Sequence, residues 1–123
     1  MRTHHDLDVW KNAIQFVTLI YKSTESFPKS EIYGITNQIR RSAVSIPSNI
    51  AEGAARTSTK EFSHFLSITL GSLAELETQL IISKNLDYLN EIHFEKLLTD
   101  LVIIRKMTVG LKKSIDKNLN IPN

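Results

Sequence analysis

The sequence predicts an all-α protein, a single antiparallel up-down-up-down four-helix bundle whose second helix is kinked at Pro47. Three observations carry that expectation. Apolar residues recur at spacings of three and four almost throughout, which is the helical period, and strand-type alternation is absent. Breaks around Pro28, between Gly53 and Ser58, and at Asn90 divide the pattern into four stretches. The connections are short, so consecutive helices should lie side by side and antiparallel, crossing at about 20°. A chain of 123 residues makes one domain of ordinary size. One long coiled coil is the structural alternative, and the three breaks argue against it.

The first helix is expected over about 7–26, with Leu7, Trp10, Ile14, Val17 and Tyr21 as its core-facing stripe and Ala13, Phe16 and Ile20 widening it. Pro28 ends it by forcing Phe27 out of the α region. The second is expected over about 31–53, capped by the Ser30 hydroxyl with Glu31 in its first turn. Its stripe is Ile32, Ile35, Ile39, Ala43, Ile46 and Ile50. Pro47 falls inside that stripe, where a proline costs about 3 kcal/mol. The stripe keeps its phase to Gly53, so a kinked but continuous helix is expected. Ser45, Ser48 and Asn49 would help satisfy the disturbed backbone, and Gly53 would cap the end.

The third helix, about 59–86, opens on the capping box Ser58-Thr-Lys-Glu61 and carries Phe62, Leu66, Thr69, Leu73, Leu76 and Leu80. The fourth, about 91–117, follows Asn90 as N-cap and carries Phe94, Leu97, Leu101, Ile104, Thr108, Leu111 and Ile115. The folded domain is expected to span 1–118, with 119–123 as a frayed tail.

Several function classes find no support in the composition. There are no cysteines, which removes disulfides, thiolate nucleophiles and cysteine-held metal clusters, and suits a reducing cytoplasm. The N-terminus has no apolar core followed by a small-residue cleavage site, so no signal peptide is read. No apolar run approaches the roughly 20 residues of a membrane span. The expected location is cytoplasmic, without a membrane partner. Net charge is only +2, but it is unevenly spread. From Leu101 onward Arg105, Lys106, Lys112, Lys113 and Lys117 face Asp116 alone. That basic end either attracts phosphate or an acidic surface, or complements the macrodipole at a helix C-terminus.

No catalytic constellation is visible. Di-iron carboxylate chemistry in a bundle needs Glu-x-x-His twice, and the chain has it once, at Glu61 and His64. No Gly-x-Ser-x-Gly elbow, phosphate loop or dinucleotide fingerprint occurs. His4 and His5 fall in a terminus expected to be mobile, and His64 and His93 fall at the edges of apolar stripes. Glu75 and Glu77, two apart on a helix, point different ways. No metal, cofactor or small-molecule substrate is therefore expected, and the protein reads as a non-enzyme.

The stretch from Gln38 to Glu52 is the hardest to explain as scaffold, because two adjacent arginines precede a proline and a run of small residues. Arg40 and Arg41 either grip phosphates or pair with Glu52, Glu75 or Glu77, within the chain or across a subunit contact. Gly71 and Gly110 would permit close backbone approach, again within or between subunits.

Asp6-Leu-Asp-Val-Trp10, Phe27-Pro28, Glu31-Ile-Tyr-Gly34, Gln38-Ile-Arg-Arg41, Ser45-Ile-Pro-Ser-Asn-Ile-Ala-Glu-Gly53, Glu61-Phe62, Phe65-Leu66 and Gly71-Ser-Leu-Ala-Glu-Leu-Glu77 stand in a characteristic order. In these motifs, over roughly positions 6–115, the chain resembles the 23S ribosomal RNA intervening-sequence proteins. The fourth helix is similar in pattern more than in identity. The resemblance implies a small bacterial four-helix-bundle protein assembled as a homo-pentameric ring. It also implies kinship in fold with the accessory protein of diversity-generating retroelements, a basic pentamer associated with nucleic acid and a reverse transcriptase. It implies no settled molecular activity, since the family name records a gene location.

Two functional expectations follow. The first is an oligomer that binds RNA or a ribonucleoprotein through basic residues repeated around a ring, where avidity offsets the low charge of each subunit. Its candidate contacts are Arg40, Arg41, Arg56, Lys60, Arg105, Lys106, Lys112 and Lys113. The alternative is a protein-interaction adaptor or assembly scaffold without a nucleic-acid role, in which Arg40 and Arg41 are buried in ion pairs.

Overall fold

A computed structural model describes residues 4–119, and among them there are four α-helices and no strand. Helix α1 spans Asp8–Thr24, α2 Ile35–Ala54, α3 Thr59–Asn85 and α4 Glu91–Leu119. Residues 120–123 of the expected frayed tail lie outside the described residues. Each helix packs on its neighbours in sequence and α4 returns to touch α1, while among the described residues the backbones of α1 and α3, and of α2 and α4, do not approach closely. The α2–α3 contact is the most extensive and α1–α4 the least. The result is a helix bundle around one core, in which Ile20, Ile39, Ile46, Ile50, Leu66, Leu73, Leu76, Leu80 and Leu101 are fully enclosed.

The inward face of α1 is rotated from the centre of the expected stripe towards the residues expected to widen it. Val9, Ala13, Phe16, Ile20 and Thr24 are buried, Trp10 and Val17 are half-buried, and Ile14 and Tyr21 are 42% and 40% exposed. Both stripes have helical spacing, so periodicity alone could not say which one the core selects. Before α1, His4–Asp6 form a single 3-10 turn that leans on α1 and α2. The His4 and His5 rings meet Trp10 edge-on at 5.0 and 5.1 Å, so both histidines are tied to the bundle.

Helix α2 begins at Ile35, later than the Ser30 cap implied. Pro28 instead starts a 3-10 turn over Lys29–Glu31, and Gly34, with φ −107° and ψ −123°, separates that turn from α2. Ile32 therefore lies in the connection and is exposed rather than part of the core stripe. The turn is pinned from α3's far end, where the Tyr88 hydroxyl donates to Glu31 Oε2 at 3.0 Å and the Tyr88 ring meets Phe27 at 5.5 Å.

The helix then runs unbroken through Pro47, which is buried between Ile46 and Ile50. Pro47 has no N–H for the Ala43 carbonyl. Close by, Ser45 Oγ donates to the Ser42 carbonyl at 2.6 Å and Asn49 Nδ2 to the Ser45 carbonyl at 2.7 Å. Ser48 is exposed and its hydroxyl has no such bond. Gly53 is not the cap. It lies within the last turn, and a Cβ there would stand 2.7 Å from Phe65 Cβ and 3.0 Å from Phe62 Cδ1. Its lack of a side chain lets α2 approach α3.

Ser58 caps α3 as expected, its Oγ accepting from the Glu61 N–H at 3.2 Å, but the return bond from Glu61 is not made. Asn90 caps α4, with Oδ1 accepting from the His93 N–H at 2.8 Å. Between them Asp87 takes a left-handed conformation (φ 64°), while the Tyr88 N–H bonds the Ser83 carbonyl at 2.9 Å and closes the end of α3. By length and composition α3 is apolar enough to cross a membrane, with mean hydropathy 1.3 over 18 residues, contrary to the reading that no run comes close. Its Leu66–Leu73–Leu76–Leu80 stripe is spent in the bundle core.

Cross-helix pairs tie the long helices together. Ser63 donates to Asp116, Arg105 pairs with Glu77 at 3.2 Å, and Lys84 pairs with Glu91 at 2.9 Å. Ser42 donates to Glu75 across α2 and α3 at 3.2 Å, and Asn12 Nδ2 approaches Met107 Sδ at 3.1 Å across α1 and α4.

Candidate nucleic-acid interface

The eight candidate cations separate into different settings. Arg40 and Arg41 come together on α2, lining an open groove of about 590 Å³ with Tyr21, Ile32, Tyr33, Asn37, Val44 and Ser45. Arg40 is half-buried. Its Nε donates to Thr24 Oγ1 at 3.0 Å, its Nη2 to the Tyr21 carbonyl at 3.4 Å, and its guanidinium lies 4.6 Å from the centre of the Tyr21 ring. Thr24 is itself fixed, donating back to its own helix at the Ile20 carbonyl at 2.9 Å. Arg41 is exposed and, among the described residues, has no hydrogen-bond or ion-pair partner.

Among the described residues neither arginine pairs with a carboxylate, so the expected ion pairs within the chain are not made: Glu52 pairs with Arg56, Glu77 with Arg105, and Glu75 accepts from Ser42. Arg40 and its neutral partners leave a net positive charge in the groove, and no acidic side chain lines it.

A second basic region forms at one end of the bundle. The Ser63–Asp116 bond brings the first turns of α3 beside the last turns of α4. Lys60, Lys112 and Lys113 therefore belong to the same end of the bundle, with Arg56 in the connection before α3. Much of this charge is already matched. Arg56 pairs with Glu52 and covers the Phe65 ring at 5.0 Å, and Lys112 pairs with Asp116 at 2.8 Å. The Lys112 ammonium, then the Ser63 hydroxyl, hold the Asp116 carboxyl below its ordinary range. Lys60 and Lys113 are exposed and unpaired among the described residues. Farther along α4, Arg105 is neutralised by Glu77 while Lys106 is exposed without a partner. Four of the eight, Arg41, Lys60, Lys106 and Lys113, thus carry charge that no partner among the described residues offsets.

Gly71 and Gly110 do not serve packing within the chain, since a Cβ at either would meet nothing within 4 Å. Below the arginine groove, Trp10, Ile14, Val17, Val44, Pro47 and Ala51 line a second, more apolar groove between α1 and α2, continuous with the first through Val44. Among the described residues no three His, Asp or Glu side chains converge as metal ligands would. His64 instead lies beside the Phe65 ring at 5.9 Å.

Reading the sequence missed Tyr21, Tyr33 and Asn37 as groove residues. Tyr21 keeps step with Trp10 and Ile14, so periodicity alone assigns it to the core stripe. The position of Tyr33 between the Pro28 turn and Gly34 was the available signal, since a large aromatic in a tight connection has little core to enter.

A sequence profile described as 23S rRNA-intervening sequence protein matches residues 5–110. The chain is also similar to a crystal structure of a protein of unknown function from the S23 ribosomal protein family of Bacteroides thetaiotaomicron VPI-5482. That similarity has a TM-score of 0.77 at 26% identity and covers 85% of this chain and 98% of the other. Comparison with curated proteins gives no match. The profile spans the whole of α1 to α3, both grooves and most of α4, and the chain belongs to the 23S rRNA-intervening sequence protein family.

Proposed function

We propose that the protein is a non-enzymatic, cytoplasmic assembly module that self-associates, as a pentameric ring by the family resemblance, and binds RNA or a ribonucleoprotein. The observation that carries this reading is the α1–α2 face. There the fold leaves Ile14, Tyr21, Ile32 and Val44 outside the core, next to two arginines with no carboxylate partner. Exposed apolar side chains gathered in one place mark interaction surfaces. The Trp10–Ile14–Val17–Val44–Pro47 groove is the subunit contact in this reading, and Arg41 and its neighbours are the nucleic-acid contact. Repetition of Arg41, Lys60, Lys106 and Lys113 by each subunit multiplies a modest charge.

The bundle order up-down-up-down, with α2 bent at Pro47, belongs to the same proposal. Its support is the pairing of Ser63 with Asp116, Glu77 with Arg105 and Lys84 with Glu91, in which residue numbers rise along α3 as they fall along α4. The adaptor reading keeps one specific observation in its favour: Arg56, Arg105 and Lys112 are matched by Glu52, Glu77 and Asp116.

Light scattering on the wild type and on Ile14→Asp tests the assembly. The position is on the surface, so the variant should fold and run as a monomer while the wild type gives a defined multiple of the 14.0 kDa chain. A monomeric wild type, or an unchanged assembly in Ile14→Asp, contradicts this contact.

A further inference from the structure

We propose that the arginine groove is a site for an unpaired RNA nucleotide, with Tyr33 as the stacking surface for its base and Arg41 as the phosphate contact. The proposal rests on the RNA-binding reading above and names the form of RNA that this groove accepts.

Tyr33 is 93% exposed and makes no ring contact among the described residues. Its support is nevertheless fixed. The Ile32 N–H bonds the Lys29 carbonyl at 3.2 Å, the Gly34 N–H bonds the Glu31 carbonyl at 2.9 Å, and the Gln38 N–H bonds the Gly34 carbonyl at 3.2 Å. An aromatic ring held in water on a pinned turn is a platform for another flat apolar surface, and every nucleobase presents one. Tyr21 is less available, because Arg40 already covers its ring.

Charge selects among flat partners. Arg40 is held by a hydroxyl and a carbonyl, Arg41 by nothing among the described residues, and the groove around them has no acidic lining. A guanidinium fork beside an exposed ring matches a phosphate joined to a base. Asn37, one helical turn before Arg41, is exposed and offers an amide to a base edge. Past Ile32 and Arg40 the groove adjoins a cleft that Glu25 and Lys29 also line, so the positive charge without an acidic neighbour is confined to the part around Arg41. A duplex keeps its bases stacked and cannot offer one to Tyr33, so the occupant is single-stranded.

Fluorescence anisotropy with a labelled RNA about ten nucleotides long, single-stranded or annealed to its complement, tests this on wild type, Tyr33→Ala, Tyr33→Phe and Arg41→Ala. Both positions are exposed, and thermal melts verify that each variant folds. Tyr33→Ala should weaken single-strand binding about tenfold, Tyr33→Phe should retain it, and duplex affinity should not change with either. Arg41→Ala should weaken binding and reduce the log–log salt slope by about 0.7. Wild-type binding of single strands that Tyr33→Ala leaves unchanged overturns the site while leaving RNA binding intact. A change of assembled mass in Tyr33→Ala without a change in RNA affinity overturns it in favour of a second copy in the groove. No wild-type binding of either RNA form at low salt removes the site together with the reading it rests on.

Discussion

A methyl group added at Gly53 would lie 2.7 Å from Phe65 Cβ, whereas one added at Gly71 meets nothing within 4 Å. The sequence suggests a helix cap at Gly53 and close approach at Gly71, and the packing of α2 on α3 puts the close approach at Gly53 instead. Gly53→Ala should therefore destabilise the fold by about 1–3 kcal/mol, since Phe65 and Phe62 must shift to admit the methyl. Gly71→Ala should be neutral or stabilising by up to about 1 kcal/mol, because alanine is the better helix former at an open position. Urea unfolding of both variants checks this, and a Gly53→Ala protein as stable as wild type would contradict the close approach. Arg40 and Arg41 were similarly undecided from the sequence. Which glutamate finds which cation depends on packing, and here Glu52 meets Arg56, Glu75 meets Ser42 and Glu77 meets Arg105.

At the scale of elements, what was legible was local. Ser58 and Asn90 cap their helices because a cap needs only a side chain and the next three residues. The stripes of α3 and α4 were legible because Leu66, Leu73, Leu76 and Leu80, and Leu97, Leu101 and Ile104, keep helical step, although Ile68, Ile81, Ile82 and Ile103 lie outside them. In α1 the apolar stripe is wide, and packing centres it on Ala13, Phe16 and Ile20 rather than on Ile14 and Tyr21. The start of α2 was hidden because Ser30 has the chemistry of a cap while Pro28 favours a separate turn. The junction of α3 and α4 carries a pH signature. Lys112 and Ser63 hold the folded-state pKa of Asp116 below its unfolded value. Its contribution to stability is thus present above the ordinary carboxylate pKa and is lost as pH falls through the lowered folded value. Asp116→Asn should lower stability at neutral pH and flatten its decline towards acid. Unfolding midpoints across that range test the pair, and parallel curves for variant and wild type would contradict it.

Across the whole molecule, helical periodicity and three breaks were enough to make the fold class legible, because a bundle is what amphipathic helices with short connections form. The grooves were not legible in that way. They arise where two helices diverge, and the exposure of Tyr33 depends on a turn pinned by Tyr88 from the other end of the chain's midsection. The unmatched cations Arg41, Lys60, Lys106 and Lys113 are spread over three parts of the surface, so one subunit alone offers little field. Assembly is what would give them a collective effect. RNA binding by that charge is tested by the affinity of the wild type for RNA over a salt series. The prediction is binding at low salt that falls linearly on a log–log plot, with a slope set by several phosphate contacts. Absence of binding at low salt, or an affinity that salt leaves unchanged, would contradict it.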